Sequence, residues 1–138
     1  MNGPATVGST VIFVSDLEKS VSFYRDVFAC EVTIDKAEAA LLRAPGGFQI
    51  YLRSVGRRAP HPSGNVGVQY LMWTTDSSET LKQVEEALRS RGCYTYTHID
   101  GGVTFVEGHD PDGIPAIVAQ PSPDQRPRSM LSPRIYRR

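Results

Sequence analysis

The sequence predicts an α+β fold made of two copies of one unit: a strand, a helix and three more strands (βαβββ). Three observations lead there. Residues 9–30 laid over residues 69–90 repeat a pattern of β-rich run, Asp and amphipathic stretch. Three short strand-like runs follow each amphipathic stretch. A Pro/Gly-rich joint, RSVGRRAPHPSGN at 53–65, separates the copies.

In the first copy TVIFV reads as a strand, and Asp16 is placed to cap the helix after it. Helical spacing puts Val21, Tyr24, Val27 and Phe28 on one side. Three strands follow at Glu31–Ile34, Ala39–Arg43 and Phe48–Leu52, the last two joined by a Pro45-Gly46-Gly47 turn. In the second copy YLMWT is the strand. Asp76 and Glu79 have capping-box spacing, in which each side chain reaches the other's backbone donor. Leu81, Val84 and Leu88 form the apolar stripe, and Gly92 ends the helix. The closing strands are Tyr94–Ile99, Val103–Glu107 and Ala116–Gln120. Asp100-Gly101-Gly102 gives a hairpin, since glycine accepts the positive φ of such turns, and Asp110-Pro111-Asp112-Gly113 gives a second turn. The expected organisation is a domain over 1–121 with modules 7–53 and 66–121, a linker over 54–65, and a Pro/Arg-rich tail over 122–138.

Charge narrows the function. The chain holds 15 basic and 15 acidic residues. Five of the basic ones (Arg126, Arg128, Arg134, Arg137 and Arg138) lie in the tail beside a single acid, Asp124. The body is therefore acidic, which disfavours a nucleic-acid partner, because phosphate contacts need a basic face on the fold. No apolar run has the ~20 residues of a membrane span, and the start of the chain lacks the pattern of a signal peptide. Two cysteines, Cys30 and Cys93, make no disulfide framework and fit a reducing, cytoplasmic compartment.

Val14-Ser15-Asp16-Leu17-Glu18-Lys19-Ser20-Val21-Ser22-Phe23-Tyr24, with Gly92 and the Asp110–Gly113 turn, resembles the vicinal oxygen chelate superfamily, the glyoxalase/bleomycin-resistance/dioxygenase group. The resemblance covers about residues 7–121. It implies curved sheets from the two modules enclosing a cleft, and in many members a divalent ion there. The family's histidines stand seven residues before the helix-start Asp, which gives Ser9 and Gln69. Its glutamate four residues after the second turn falls on Ile117, and the matching strand of the first module offers Gln49 or Tyr51. Hydroxyl, amide and alkyl groups hold zinc or iron poorly, so no metal and no cofactor are expected at these positions.

Strand alternation then makes the cleft apolar. If Ser9 and Gln69 face it, so do Val11, Phe13, Leu71 and Trp73, with Ile117 on the last strand. The expected ligand-binding set is Ser9, Val11, Phe13, Gln49, Tyr51, Gln69, Leu71, Trp73 and Ile117, with Phe13 and Trp73 flanking a flat guest. Arg53 continues the Gln49–Tyr51 parity and is placed to meet an anionic group. The first functional reading is a metal-free, homodimeric protein that sequesters a small, flat, largely apolar aromatic molecule, as the family's antibiotic-resistance branch does. The alternative is an enzyme of the same family, a lyase, isomerase or dioxygenase. It would use a displaced metal at His98, Glu107 and His109, or metal-free acid–base chemistry. No residue is assigned a catalytic role.

Overall fold

A computed structural model describes residues 5, 7–57, 66 and 68–121 of the chain. The tail and most of the joint, His61 included, lie outside the described residues. The chain divides into two compact units at residues 58 and 59. Each unit is a four-stranded mixed sheet with one helix, so the α+β class and the two βαβββ modules are both present.

The first unit runs β1 (Ser9–Val14), α1 (Leu17–Phe28), β2 (Glu31–Asp35), β3 (Ala39–Arg43) and β4 (Gln49–Ser54), in the sheet order β1-β4-β3-β2. The first strand pairs parallel with the last, Ser9 opposite Gln49 and Phe13 opposite Arg53. Asp16 caps α1 as expected, its carboxylate accepting from the Lys19 N–H at 3.1 Å. Val21, Tyr24, Val27 and Phe28 are buried, and Ser20 and Phe23 join them. Phe23 meets Tyr24 and Phe28 edge-on, at 5.0 and 5.9 Å between centroids. One face of the sheet is buried through Val14, Ala40, Leu42, Ile50 and Leu52, and α1 packs against the strands that carry most of them.

The second unit runs β5 (Leu71–Thr74), α2 (Ser78–Ser90), β6 (Tyr94–Asp100), β7 (Val103–His109) and β8 (Pro115–Gln120), in the order β5-β8-β7-β6. The helix starts one residue later than the sequence suggests. Ser77, not Asp76, is the cap, and its hydroxyl accepts from the Thr80 N–H at 3.1 Å. Leu81, Val84 and Leu88 are buried as expected. Both glycines of the β6–β7 hairpin have positive φ, 60° and 80°, which suits a two-residue primed turn. In the second turn the buried Asp110 carboxylate accepts from the Asp112 and Ile114 N–H groups, each at 2.9 Å.

Cys30, 2% exposed at the end of α1, has its thiol pushed up to about 11 by burial. Its ordinary value is 9.0, so the thiol form is favoured by folding. The stability it contributes is complete below pH 9 and is lost as pH rises towards 11, about 2–3 kcal/mol in all. Denaturant melts across that range should fall less steeply for Cys30→Ala than for the parent chain. Equal slopes would show that Cys30 carries none of the pH dependence.

Candidate functional site

The face of the first sheet away from α1 is set by parity. Val11 lies beside Tyr51, Tyr51 beside Leu41, and Leu41 beside Ile34. This row crosses all four strands and is apolar throughout. Val11 is 60% exposed, Ile34 47% and Tyr51 39%, while Leu41 is half-buried. The row on one side is Phe13, Arg53 and Ala39, with Phe13 56% exposed. The row on the other side is Ser9, Gln49, Arg43 and Glu31. The structure thus brings Ser9, Val11, Phe13, Gln49 and Tyr51 onto one open face, with Arg53 at its edge.

Ile34 is missing from the sequence-derived set for an identifiable reason. A bulge between Val32 and Ile34 places two residues of β2 against one of β3. Val32 therefore pairs with Leu42 on the helix side, while Ile34 pairs with Leu41 on the open side. Strict alternation would keep the two on the same face.

The second sheet overturns part of the expectation. Leu71, Met72 and Trp73 stand opposite Ala116, Ile117 and Val118. Gly108, the partner of Ala116, approaches Leu88 of α2, and Gln120, of the same parity on β8, accepts from Ser78 of α2 at 3.4 Å. Leu71 and Trp73 therefore share the helix side of the sheet, and Gln69 lies before the strand begins. The opposite side carries Met72 and Ile117, and Tyr70 and Met72 pack against buried Val103, Phe105, Ile117 and Ala119. The cause is a register slip of one residue. Aligned on the true caps, Asp16 and Ser77, the second copy is displaced by one, and a slip of one moves every side chain to the other face. Trp73 is not the counterpart of Phe13.

Counting seven residues back from Ser77 gives Tyr70 in place of Gln69. The family's metal positions then read Ser9, Tyr70, Ile117 and either Tyr51 or Gln49. Ile117 is fully buried and offers no donor, and the others offer hydroxyl, phenol or amide oxygens. This set does not fit a divalent ion, which asks for several imidazole, carboxylate or thiolate ligands. The displaced site fares no better. His98, Glu107 and His109 point to the same side of the second sheet, but no group of three metal-ligating side chains gathers among the described residues. His109 Nδ1 lies 3.0 Å from the Asp110 carbonyl instead.

What does gather there is a pair. His98 Nδ1 is 3.3 Å from Glu107 Oε2, with the two side chains 13% and 1% exposed. The imidazole stacks with two aromatic rings, Tyr96 at 5.9 Å and 24° and Phe105 at 5.2 Å and 17°. The sequence placed both partners on the two strands of one hairpin, but did not show that they meet. The uninterrupted register from the turn, Asp100 opposite Val103 through Tyr96 opposite Glu107, sets them diagonally across the hairpin, and a bulge between Tyr94 and Tyr96 lies beyond them.

Comparison with known proteins agrees with this architecture. A glyoxylase/bleomycin resistance protein/dioxygenase domain from Frankia sp. EAN1pec superposes with a TM-score of 0.73 at 21% identity, covering 86% of this chain and 92% of that one. A glyoxalase/dioxygenase from Nostoc punctiforme gives 0.72 at 15% identity, covering 86% and 94%. The fosfomycin resistance protein FosX from Mesorhizobium loti gives 0.70 at 13% identity, covering 90% and 98%. In sequence, the chain is 27% identical over 88 residues to a manganese-dependent 2,3-dihydroxybiphenyl 1,2-dioxygenase from Geobacillus genomosp. 3, across 64% of this chain. It spans only 26% of that relative's length. Among the described residues no helix is long and apolar enough to cross a membrane. A family model matches residues 6–117, and the chain belongs to the Glyoxalase/Bleomycin resistance protein/Dioxygenase superfamily.

Proposed function

We propose that the protein binds a small, flat, largely apolar aromatic molecule without a metal, against the open face of the first sheet. One observation carries this reading. Val11, Tyr51, Leu41 and Ile34 form an apolar row across four strands, with exposed Phe13 one row away. A flat guest covers such a row with one ring face, and stacking on an aromatic side chain contributes ~1–3 kcal/mol. Gln49 and Ser9 on one side and Arg53 on the other supply polar contacts that orient the guest's edges. The unsuitable donor set at the family's metal positions supports the metal-free half of the reading. The domain spans 1–121, built of modules 7–53 and 66–121 and acting as a cytoplasmic homodimer. Sedimentation of the purified chain at twice its 15.2 kDa mass tests the dimer.

The probe for binding is 8-anilinonaphthalene-1-sulfonate, followed by its fluorescence. Phe13→Ala and Tyr51→Ala should each weaken it by about 5- to 150-fold, the span of one stacking contact. Trp73→Phe should leave the affinity unchanged, since Trp73 lies on the helix side. Parental affinity in the Phe13→Ala/Tyr51→Ala double variant would overturn the proposed face. A stoichiometric divalent ion in protein purified without chelator would overturn the metal-free reading.

A further inference from the structure

We propose that β6 is a self-association edge: two copies of the chain pair their β6 strands antiparallel, joining two four-stranded sheets into one. The inference rests on the homodimer reading above, and it is independent of what the first sheet binds.

Three features carry it. First, β6 ends the order β5-β8-β7-β6, so it has a neighbour on one side only. The two-residue turn makes Asp100 exchange its backbone bonds with Val103, and alternation gives His98 and Tyr96 the same inward role. The backbone groups of Thr97 and Ile99 therefore point away from β7, and among the described residues no other segment bonds to them. Second, the strand lacks the usual defences of an edge, which are charge, proline or a central bulge. Tyr96–Ile99 carries no carboxylate, Lys, Arg or Pro, and the bulge lies before Tyr96. Ile99 is 73% exposed although it lies on the helix side, so α2 does not cover it, and Tyr96 is 44% exposed. Third, the counterpart strand of the first sheet has those defences. The bulge of β2 falls at its middle, between Val32 and Ile34, and exposed Glu31 and Asp35 stand at its ends. Antiparallel self-pairing about Thr33 would set Glu31 against the second copy's Asp35, and like charges placed opposite each other are destabilising. Self-pairing is thus blocked on β2 and open on β6.

The register follows from the same parity. Outward backbone groups must meet outward groups, the pairing must be two-fold symmetric, and it must fall past the bulge. The axis then passes at His98. Thr97 exchanges both backbone bonds with the second copy's Ile99, and Ile99 does so with the second copy's Thr97. Tyr96 falls opposite the second copy's Asp100, and His98 opposite its own counterpart, so no two carboxylates meet. Exposed Ile99 is covered by the second copy's Thr97. This self-matching selects a second copy over an unrelated extended peptide. Strand pairing alone covers less than the ~800 Å² per partner of a standard stable complex, so a dissociation constant on the order of 10 μM is expected.

The test is amide hydrogen exchange of the full chain, read residue by residue at about 1 and about 500 μM protein. The Thr97 and Ile99 N–H groups should exchange about tenfold or more slowly at the higher concentration, while those of β2 keep their rates. Two variants then probe the edge by sedimentation. Ile99→Lys places a charge on it, and Thr97→Pro removes an outward donor without breaking a bond to β7. Each should weaken dimerisation by about tenfold or more. Exchange at Thr97 and Ile99 that ignores concentration in a chain that dimerises overturns the edge, and the dimer then forms through another face. Undiminished dimerisation of folded Ile99→Lys overturns it in the same way. A parent chain that stays monomeric at about 500 μM overturns the edge and the homodimer together. If neither variant folds by circular dichroism, the exchange rates of the parent chain decide.

Discussion

Gly108→Val should leave little folded protein, and Gly108→Ala should lose roughly 3 kcal/mol or more. A Cβ built on Gly108 would stand 2.5 Å from the Cys93 carbonyl oxygen and 3.1 Å from both methyls of Leu88. The Leu88 methyls can rotate away. The Cys93 carbonyl cannot, because it accepts from the His109 N–H at 2.9 Å and so ties the start of β6 to the end of β7. The backbone at Gly108 is not in the left-handed region, so the substitution tests space alone. Urea unfolding of Gly108→Ala measures it. A midpoint equal to that of the parent chain would mean that β6 and β7 separate at little cost, contrary to the packing seen here.

The second large effect belongs to Asp110. Its carboxylate is wholly buried and accepts two backbone N–H bonds within the turn, while its own carbonyl accepts from the Gly113 N–H at 3.0 Å. Asp110→Ala strands two half-buried donors, the N–H groups of Asp112 and Ile114. At ~1.5–3 kcal/mol per bond to a charged group, the loss should be about 3–5 kcal/mol. Asp110→Asn keeps an oxygen for both donors and should lose only about 1–2 kcal/mol. A second readout separates this from general loosening. Burial, and then the Asp110 charge, raise the Cys93 thiol above its ordinary range, while Arg91 opposes them. In folded Asp110→Asn the charge is gone, so alkylation of Cys93 should set in at lower pH than in the parent chain. An Asn variant as unstable as the Ala variant, with unchanged Cys93 reactivity, would refute the account.

Much of the architecture was readable because local chemistry decides it. Asp16 capping α1, the paired glycines after Asp100, and the Asp110–Gly113 turn each follow from what one or two side chains can do. The open face of the first sheet was readable too, since β1 and β4 alternate without interruption and their register aligns Ser9 with Gln49 and Val11 with Tyr51. The second sheet resisted for a reason of the same scale. Asp76 and Ser77 are both good helix caps, and only the folded backbone shows which one closes on Thr80. Choosing Asp76 shifts the whole repeat by one, and with it the side on which Leu71 and Trp73 fall. Bulges are similarly silent in a sequence, and they decide where Ile34 and Tyr94 sit. The His98–Glu107 contact is a diagonal one across the hairpin, so the two strands were visible in the sequence and the meeting of these side chains was not.

The pairing of β1 with β4, and of β5 with β8, also bears on how the chain is made. Each opening strand emerges from the ribosome long before its neighbour exists: Ser9 waits for Gln49, and Leu71 for Ala116. During that interval a hydrophobic edge stands open to other nascent chains. Slow decoding once Ser54 has cleared the ribosome would let the first sheet close before the second begins to appear, and synonymous codon changes at that point should alter the yield of soluble protein without changing a single residue.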